Sequence, residues 1–425
     1  MKQVTIEKQD HFGRGIAHLD QKIMFVERAL PKETCQIEIV QSKKNYQLAQ
    51  IVKLETSSIE RCESICPYYS KCGGCELLHQ TYSGQLRFKN QKIEEILTKY
   101  AQIDPKVIQP ILASNPIRYR NKVTLHIEKD KIGYYEAKSH RLIEVSDCLL
   151  LDAQLVEVMQ LLQEFIKDHH ELKSAMIKVG RKTKEVMLAV TGKTNRDHLK
   201  QFFQNKVTTL LYNHKILFGR PYITSQVFNQ TFEITEESFF QVNNDMIERL
   251  YQVVIELVQS LRSQEVLDLY CGTGTIGLLV SPFVQKVIGV EIVQEAVASA
   301  KRNKKRNHIS NVSFIEGQVE KSLSILTKQI DTVIVDPPRS GLDSFTVQKL
   351  LEVRPQNVIY VSCDPMTLAR DLNKLQKEYD VNLVRPVDMF PNTHHVESIV
   401  LLSCKSSDSV INGKWNLEKT IEKCR

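Results

Sequence analysis

Apolar and polar residues alternate in short stretches near the start of the chain, as in KIMFV (22–26) and CQIEIV (35–40), with Gly13, Gly15 and Pro31 between them. A period of two broken by turn residues predicts short strands, and several in succession predict a small β-barrel over 1–54. The pattern then changes. In QLRFKNQKIEEILTKYA (85–101), Ile93, Ile96 and Leu97 fall on one side of a 3.6-residue period, which predicts a helix. KVTLHIEKDKIGYYE (122–136) and RLIEVSDCLLL (141–151) read as strands joined by a turn. Helical and strand-like pieces alternate from 152 to 235, among them VEVMQLLQEFIKDH, SAMIKVG and EVMLAVTG.

Beyond 236 the apolar runs are longer. EVLDLYCGTGTIGLLV (265–280) reads as a buried strand, a glycine loop and a helix, KVIGVEIV (286–293) as a second strand and AVASAKRNKKRN (296–307) as a second helix. DTVIVDPPRSGL, NVIYVSCDP and VESIVLLSC supply further β-rich runs with helical stretches between them. Such alternation predicts a mostly parallel, doubly wound sheet whose sites lie at the carboxyl ends of its strands. The expected fold is α/β in three parts: a barrel (1–54), a central α+β domain (55–235) and a Rossmann-like domain (236–425).

Composition narrows the class. A chain of 425 residues exceeds what one core usually organises, and 42% hydrophobic with 25% charged residues is typical of a soluble globular protein. The uncharged run from Leu269 to Gln285 contains three glycines and a proline, so no membrane association is expected. The opening MKQVTIEKQD lacks a signal-peptide core, which points to a reducing cytoplasm and to ten cysteines kept as thiols. A net charge of +7 is compatible with a polyanionic partner. Locally, KRNKKR (301–306) is either a solvated helix face or an RNA contact.

Gly272, Gly274 and Gly277 spell G-x-G-x-x-G after a strand, and Glu291 follows at the next strand end. This spacing fits a dinucleotide. Asp268, inside the preceding strand, repels a pyrophosphate but suits the sulfonium and ammonium of S-adenosylmethionine, whose ribose diol Glu291 could bind. DPPR (336–339) must turn rigidly at a strand tip, because two prolines cannot continue a ladder. Its fourth residue is Arg339, where many amine methyltransferases carry an aromatic ring. In VSCDP, Cys363 ends a strand just before a helix whose positive end would favour a thiolate. Glu397 opens an apolar strand, where a carboxylate is out of place without a task or a partner. His394 and His395 read as loop residues.

A methyl donor, a strand-tip thiol and a carboxylate suggest one reaction. A thiolate adding to C6 of uracil makes C5 an enolate carbon able to attack a methyl sulfonium, and a base then removes the C5 proton. Cys363 would be the nucleophile and Glu397 the base.

These motifs, with FFQVN (239–243), LDLYCGTGTIGL, YVSCDPMTLARDL and HHVESIVLL, resemble nearly end to end the bacterial RNA uracil-C5 methyltransferases of the 23S rRNA type. GRGIAHLDQKIMFVERALPKE resembles their OB-like, RNA-binding TRAM domain. The resemblance implies a Rossmann-like S-adenosylmethionine-dependent catalytic domain with Gln241, Tyr270, Glu291 and Asp336 around the cofactor. It also implies a monomer acting on 23S rRNA in an unfolded or partly assembled state. Relatives specific for tRNA generally lack the leading barrel and the clustered cysteines.

RCESICPYYSKCGGC (61–75) concentrates four thiols, and its residues leave open zinc or an iron-sulfur cluster, closed by Cys62 or by a distant cysteine. The resemblance implies a [4Fe-4S] cluster on Cys66, Cys72, Cys75 and Cys148 that organises the RNA-binding face. Cys35, Cys271, Cys404 and Cys424 read as ordinary thiols. Tyr68, Tyr69 and Tyr119, beside Lys71, Arg118 and Arg120, are candidate stacking and phosphate contacts for single-stranded RNA.

Overall fold

The computed structural model describes residues 2–19, 21–137, 139–319 and 330–405, so Cys424 lies outside the described residues. The alternating start forms a six-stranded sheet of β1 (Lys2–Thr5), β2 (Lys8–Gln9), β3 (Gly15–Leu19), β4 (Lys22–Glu27), β5 (Thr34–Ser42) and β6 (Tyr46–Thr56), in the order β1-β5-β6-β4-β3-β2. Register shifts along β5 and β6 bend these strands so that Met24, Val26, Cys35 and Ile37 close on one core.

The middle of the chain forms a second sheet of β7 (Lys122–Glu128), β8 (Lys131–Tyr135), β9 (Leu142–Glu144), β10 (Leu172–Val179), β11 (Val186–Gly192), β12 (Thr209–Tyr212) and β13 (Lys215–Phe218). A hairpin of β14 (Tyr222–Val227) and β15 (Gln230–Thr235) follows. The third sheet holds β16 (Glu265–Leu269), β17 (Lys286–Glu291), β18 (Val312–Glu316), β19 (Thr332–Val335), β20 (Asn357–Ser362), β21 (Tyr379–Val387) and β22 (Glu397–Cys404). Its order is β18-β17-β16-β19-β20-β22-β21, parallel except that β22 runs against both its neighbours.

Helices cover both faces of this sheet. On one lie α4 (Asn244–Ser260), α5 (Thr275–Val280) and α6 (Gln294–Arg306). On the other lie α7 (Ser344–Val353), α8 (Pro365–Leu375) and α1 (Tyr82–Ala101). The central sheet carries α2 (Ala153–Phe165) and α3 (Arg196–Phe203).

The placement of α1 differs from the sequence expectation, which put it in the central domain. Ile93, Ile96, Leu97 and Ala101 pack with Leu368 and Leu372 of α8, and the chain after it runs beside β21, with Ile108 bridging Val384 and Leu112 bridging Val387. The stretch 55–235 therefore contributes to two cores. A helical apolar stripe shows that a helix has a buried face, but not which sheet it covers.

Candidate active site

Three strand tips meet at the carboxyl edge of the third sheet. β19 ends at Val335, paired with Tyr360, and Asp336 follows it; β20 ends at Ser362, and Cys363 follows. Because β22 is antiparallel, it begins where β20 stops. The pair Ser362–Ser398 sets Glu397 across from Cys363, and a parallel β22 would have put Glu397 at the opposite edge of the sheet.

The surroundings set the charge states. Burial, then the charge of Asp336, pushes the Glu397 carboxyl up to about 8. Burial alone lifts Asp336 to about 7. Asp268 rises to about 8 through burial, then the charges of Asp336 and Glu291, although Gly277 N–H donates to its Oδ2 at 2.9 Å. Tyr251 of α4 packs among these acids; burial, then Asp336, Asp268 and Glu397, raise its phenol well above the ordinary range. Only the apolar period of α4 marked Tyr251 in the sequence.

Cys363 departs from expectation. Its thiol is pushed up to about 11, first by burial, then by Glu397, Asp336 and Asp364, with Arg339 acting against them. The helix does start nearby, at Pro365, with Asp364 capping Met366 and Thr367 N–H groups at 3.0 Å. Burial, with the acids around it, outweighs the partial charge of a helix end, so the resting side chain is a thiol.

The glycine loop leaves room for a ligand. Gly274 has φ +80°, and a Cβ there would sit 2.5 Å from the Phe314 ring, whereas a Cβ on Gly272 would meet nothing within 4 Å. Glu291 accepts from Gly272 N–H at 3.0 Å and from Val293 N–H at 2.9 Å. The Tyr270 hydroxyl lies 3.4 Å from both Asp343 Oδ2 and Thr346 Oγ1. Gln241 is buried, and its backbone is held by Asn121, whose side chain donates to Gln241 O at 3.1 Å and whose N–H donates to Val242 O at 2.9 Å. Asp268 Oδ1 is buried without a hydrogen-bond partner. An orphaned acceptor, an open glycine edge and clustered acids fit a cationic ligand and would repel a pyrophosphate.

The loop feeding Glu397 is tied down by residues the sequence reading passed over. Lys89 and Asp388, both 0% exposed, form an ion pair of 2.5 Å, and Lys89 Nζ also donates to Phe390 O at 2.9 Å. The Tyr82 hydroxyl donates to Asp388 Oδ2 at 2.8 Å, and Lys92 Nζ to His394 O at 2.9 Å. Lys89 and Lys92 sit one turn below Ile93 and Ile96, on the apolar side of α1. Lysines in such a stripe were the available signal.

Cys66, Cys72, Cys75 and Cys148 line one cavity of about 410 Å³. Cys62 lies apart, its thiol donating to Leu78 O at 3.7 Å. Burial, then Cys148, Cys72 and Cys66, raises the Cys75 thiol, so these sulfurs feel one another's charge. Among the described residues no three His, Cys, Asp or Glu side chains form a group that could hold a metal ion. The four thiols share the wall of that cavity, which brings Cys148 beside three cysteines distant from it in sequence.

Two expected RNA contacts are structural. Tyr69 is 7% exposed, with the Arg28 guanidinium 4.7 Å from its ring centre and its hydroxyl 2.6 Å from His79 Nδ1. Tyr119 is 1% exposed and donates to Pro391 O. Arg118 is spent on a two-bond pair with Asp147, and Arg120 lines the cysteine cavity. Tyr68 remains half-exposed, its hydroxyl 2.9 Å from Ser146 Oγ, and Lys71 is exposed. In KRNKKR, Arg302 and Arg306 are bound to Glu233, while Lys301, Lys304 and Lys305 line an open cleft with His308.

Known proteins resemble the chain over nearly its whole length. The profile of the tRNA (uracil-5-)-methyltransferase family matches residues 81–405, and that of the TRAM domain residues 2–52. An uncharacterised RNA methyltransferase of Clostridium tetani is 36% identical, over 92% of this chain and 94% of its own length. One from Halalkalibacterium halodurans is 34% identical over 95% and 97%. The tRNA (uracil-54, C5)-methyltransferase of Pyrococcus abyssi, solved with S-adenosyl-L-homocysteine, matches with a TM-score of 0.78 at 28% identity, covering 94% of this chain and 99% of that one. Residues 55–425 alone could not supply that coverage, so the likeness to this tRNA enzyme extends into the leading barrel. Among the described residues no helix is long and apolar enough to cross a membrane.

Proposed function

The chain belongs to the tRNA (uracil-5-)-methyltransferase family, and from that premise we propose that it methylates C5 of a uridine in 23S rRNA through a covalent adduct on Cys363. The observation that carries the reading is the meeting of Cys363, Glu397 and Asp336 at three adjoining strand tips.

Cys363, partly exposed, loses its proton to solvent and adds as the thiolate to C6, and the ring electrons move toward O4, leaving C5 nucleophilic. S-adenosylmethionine, when bound, supplies an electrophilic methyl group. Gln241, Tyr270, Glu291 and Asp336 would hold it, with Glu291 facing the ribose and Asp268 adding negative charge beneath the glycine loop. Glu397, as the carboxylate, takes the C5 proton; the returning electrons restore the C5–C6 double bond and expel the Cys363 thiolate. A [4Fe-4S] cluster on Cys66, Cys72, Cys75 and Cys148 would crosslink two distant segments, with no part in the methyl transfer.

RNA containing 5-fluorouridine tests the chemistry. The wild type should form an adduct stable to denaturation, which Cys363→Ala should lack. Glu397→Gln should accumulate an adduct on unmodified RNA, because the C5 proton stays in place. Full turnover by Cys363→Ala would rule the mechanism out. A second reading, tRNA as substrate, is favoured by the likeness to the archaeal tRNA enzyme. Mapping 5-methyluridine in 23S rRNA and tRNA from a deletion strain separates the two.

A further inference from the structure

The turn between β2 and β3 pushes an aromatic ring into solvent and holds it there. Phe12 is 56% exposed. Asp10 Oδ1 accepts from the N–H groups of Phe12 (2.9 Å) and Arg14 (2.8 Å), Asp10 Oδ2 accepts from Arg14 Nε at 2.7 Å, and Gly13 N–H donates to Asp10 O at 2.9 Å. Gly13 has φ +82°, and a Cβ on it would run into Leu77, so the turn is also wedged against the cysteine segment. The Arg14 guanidinium lies 5.4 Å from the Phe12 ring centre and 4.5 Å from that of Phe25.

From Phe12 the rings continue toward the catalytic edge. Phe12 meets His394 edge-on at 5.4 Å, His394 lies 4.2 Å from His395, and His395 lies 6.1 Å from Phe390. The two histidines immediately precede Val396 and Glu397. Burial first, then the charge of His394, holds His395 down to about 4, which leaves it a neutral ring in the working range. The charge of Glu76 acts against this and those of Arg339 and Lys92 act with it, and Glu76 Oε1 lies 3.6 Å from His394 Nδ1, so the rings are bordered by one carboxylate and two cations. A lone exposed phenylalanine is ordinary; one braced by four hydrogen bonds at the head of such a row is preorganised for a flat ligand.

We propose that the Phe12 ring, backed edge-on by the largely buried His394, forms a stacking platform for an unpaired nucleobase flanking the target uridine. The platform rests on the RNA-methylating reading above. A target uridine taken out of a stack leaves its neighbours unpartnered, and an aromatic face accepts any base. The barrel would thus hold one flanking base against the loop that carries Glu397.

The test uses the full-length protein with an RNA oligonucleotide of the methylated region carrying 2-aminopurine at each position flanking the target in turn. Wild type should quench the fluorescence at one flanking position. Phe12→Ala should abolish that quenching and raise KM for RNA on the order of tenfold, as expected for one lost stacking contact, with kcat and the salt dependence of binding unchanged. Phe12→Trp should restore quenching and KM, and Phe12→Leu should restore neither. Unchanged quenching and KM in Phe12→Ala, or full rescue by Phe12→Leu, would overturn the platform while leaving the methylation reading intact. Absence of 5-methyluridine formation by the wild type would instead strike at the methylation reading, since quenching reports stacking without turnover.

Discussion

Asp268, Asp336 and Glu397 are buried carboxyl groups lifted to about 8, 7 and 8, and the charge of Asp336 bears on both of the others. Each holds its proton in the fold at pH values where it has lost it in the unfolded chain, near 4. The folded state therefore binds more protons between those limits, and the stability it draws from them is lost as pH rises toward 8. A cation in the pocket favours the ionised forms, so the thermal stabilisation given by saturating S-adenosylmethionine should be larger at pH 8.5 than at pH 5.5; scanning fluorimetry at both values checks this. The same acids shape the rate. Glu397 must be ionised to take the C5 proton, and Cys363, at about 11, must lose its own. We expect kcat/KM to climb steeply from pH 6 to about 8, with the limb set by Glu397 absent from the residual adduct formation of Glu397→Gln. A flat profile from pH 6 to 8 would refute this assignment.

At the scale of elements, Glu397 acts at the right edge of the sheet because β22 is reversed, and at the right depth because α1 grips the loop before it. Lys89→Met would leave Asp388 charged, buried and without its partner, and unpaired buried charges of this kind cost about 3–5 kcal/mol. Replacing both Lys89 and Asp388 with Met should recover most of that loss. Urea unfolding of both variants measures it, and equal stability of Lys89→Met and wild type would contradict the burial argument. These two features also mark what the sequence could disclose. Glu397 stood out because a carboxylate opening an apolar strand has few explanations, and Cys363 and Asp336 because proline motifs pin strand tips. The reversal of β22 left no local trace, since register and direction arise between strands distant in sequence. The surroundings of Cys363 divide in the same way: the helix start is adjacent in sequence, whereas the burial that lifts its thiol, and the approach of Glu397 and Asp336, exist only in the fold. Tyr69 and Tyr119 are buried instead of facing RNA, because an aromatic ring beside basic residues reads alike whether it is wet or packed inside, as Tyr69 is beneath Arg28.

Across the whole molecule the cysteine segment is the junction of the three sheets. Arg28 of the barrel donates to Tyr69 and Ser70 O, and Arg61 holds Glu33 of the barrel at 2.5 Å. Beyond the cysteines, the N–H groups of Glu76 and Leu77 both donate to Asn392 O at 3.0 Å, in the loop that leads to Glu397. Cys148 enters the same cavity from the central sheet's side. A cluster shared by Cys148 and the local thiols would therefore fix the barrel, the central sheet and the catalytic loop relative to one another. Cys62, whose thiol turns to Leu78 O, would not take part. Iron bound per chain should fall sharply in Cys148→Ser and stay at the wild-type level in Cys62→Ser. Cys148→Ser should also weaken RNA binding more than it lowers affinity for S-adenosylmethionine, because the glycine loop and Glu291 stand on β16 and β17, away from the junction. Iron retained in Cys148→Ser and lost in Cys62→Ser would move the fourth ligand into the local segment and remove the crosslink from the central sheet.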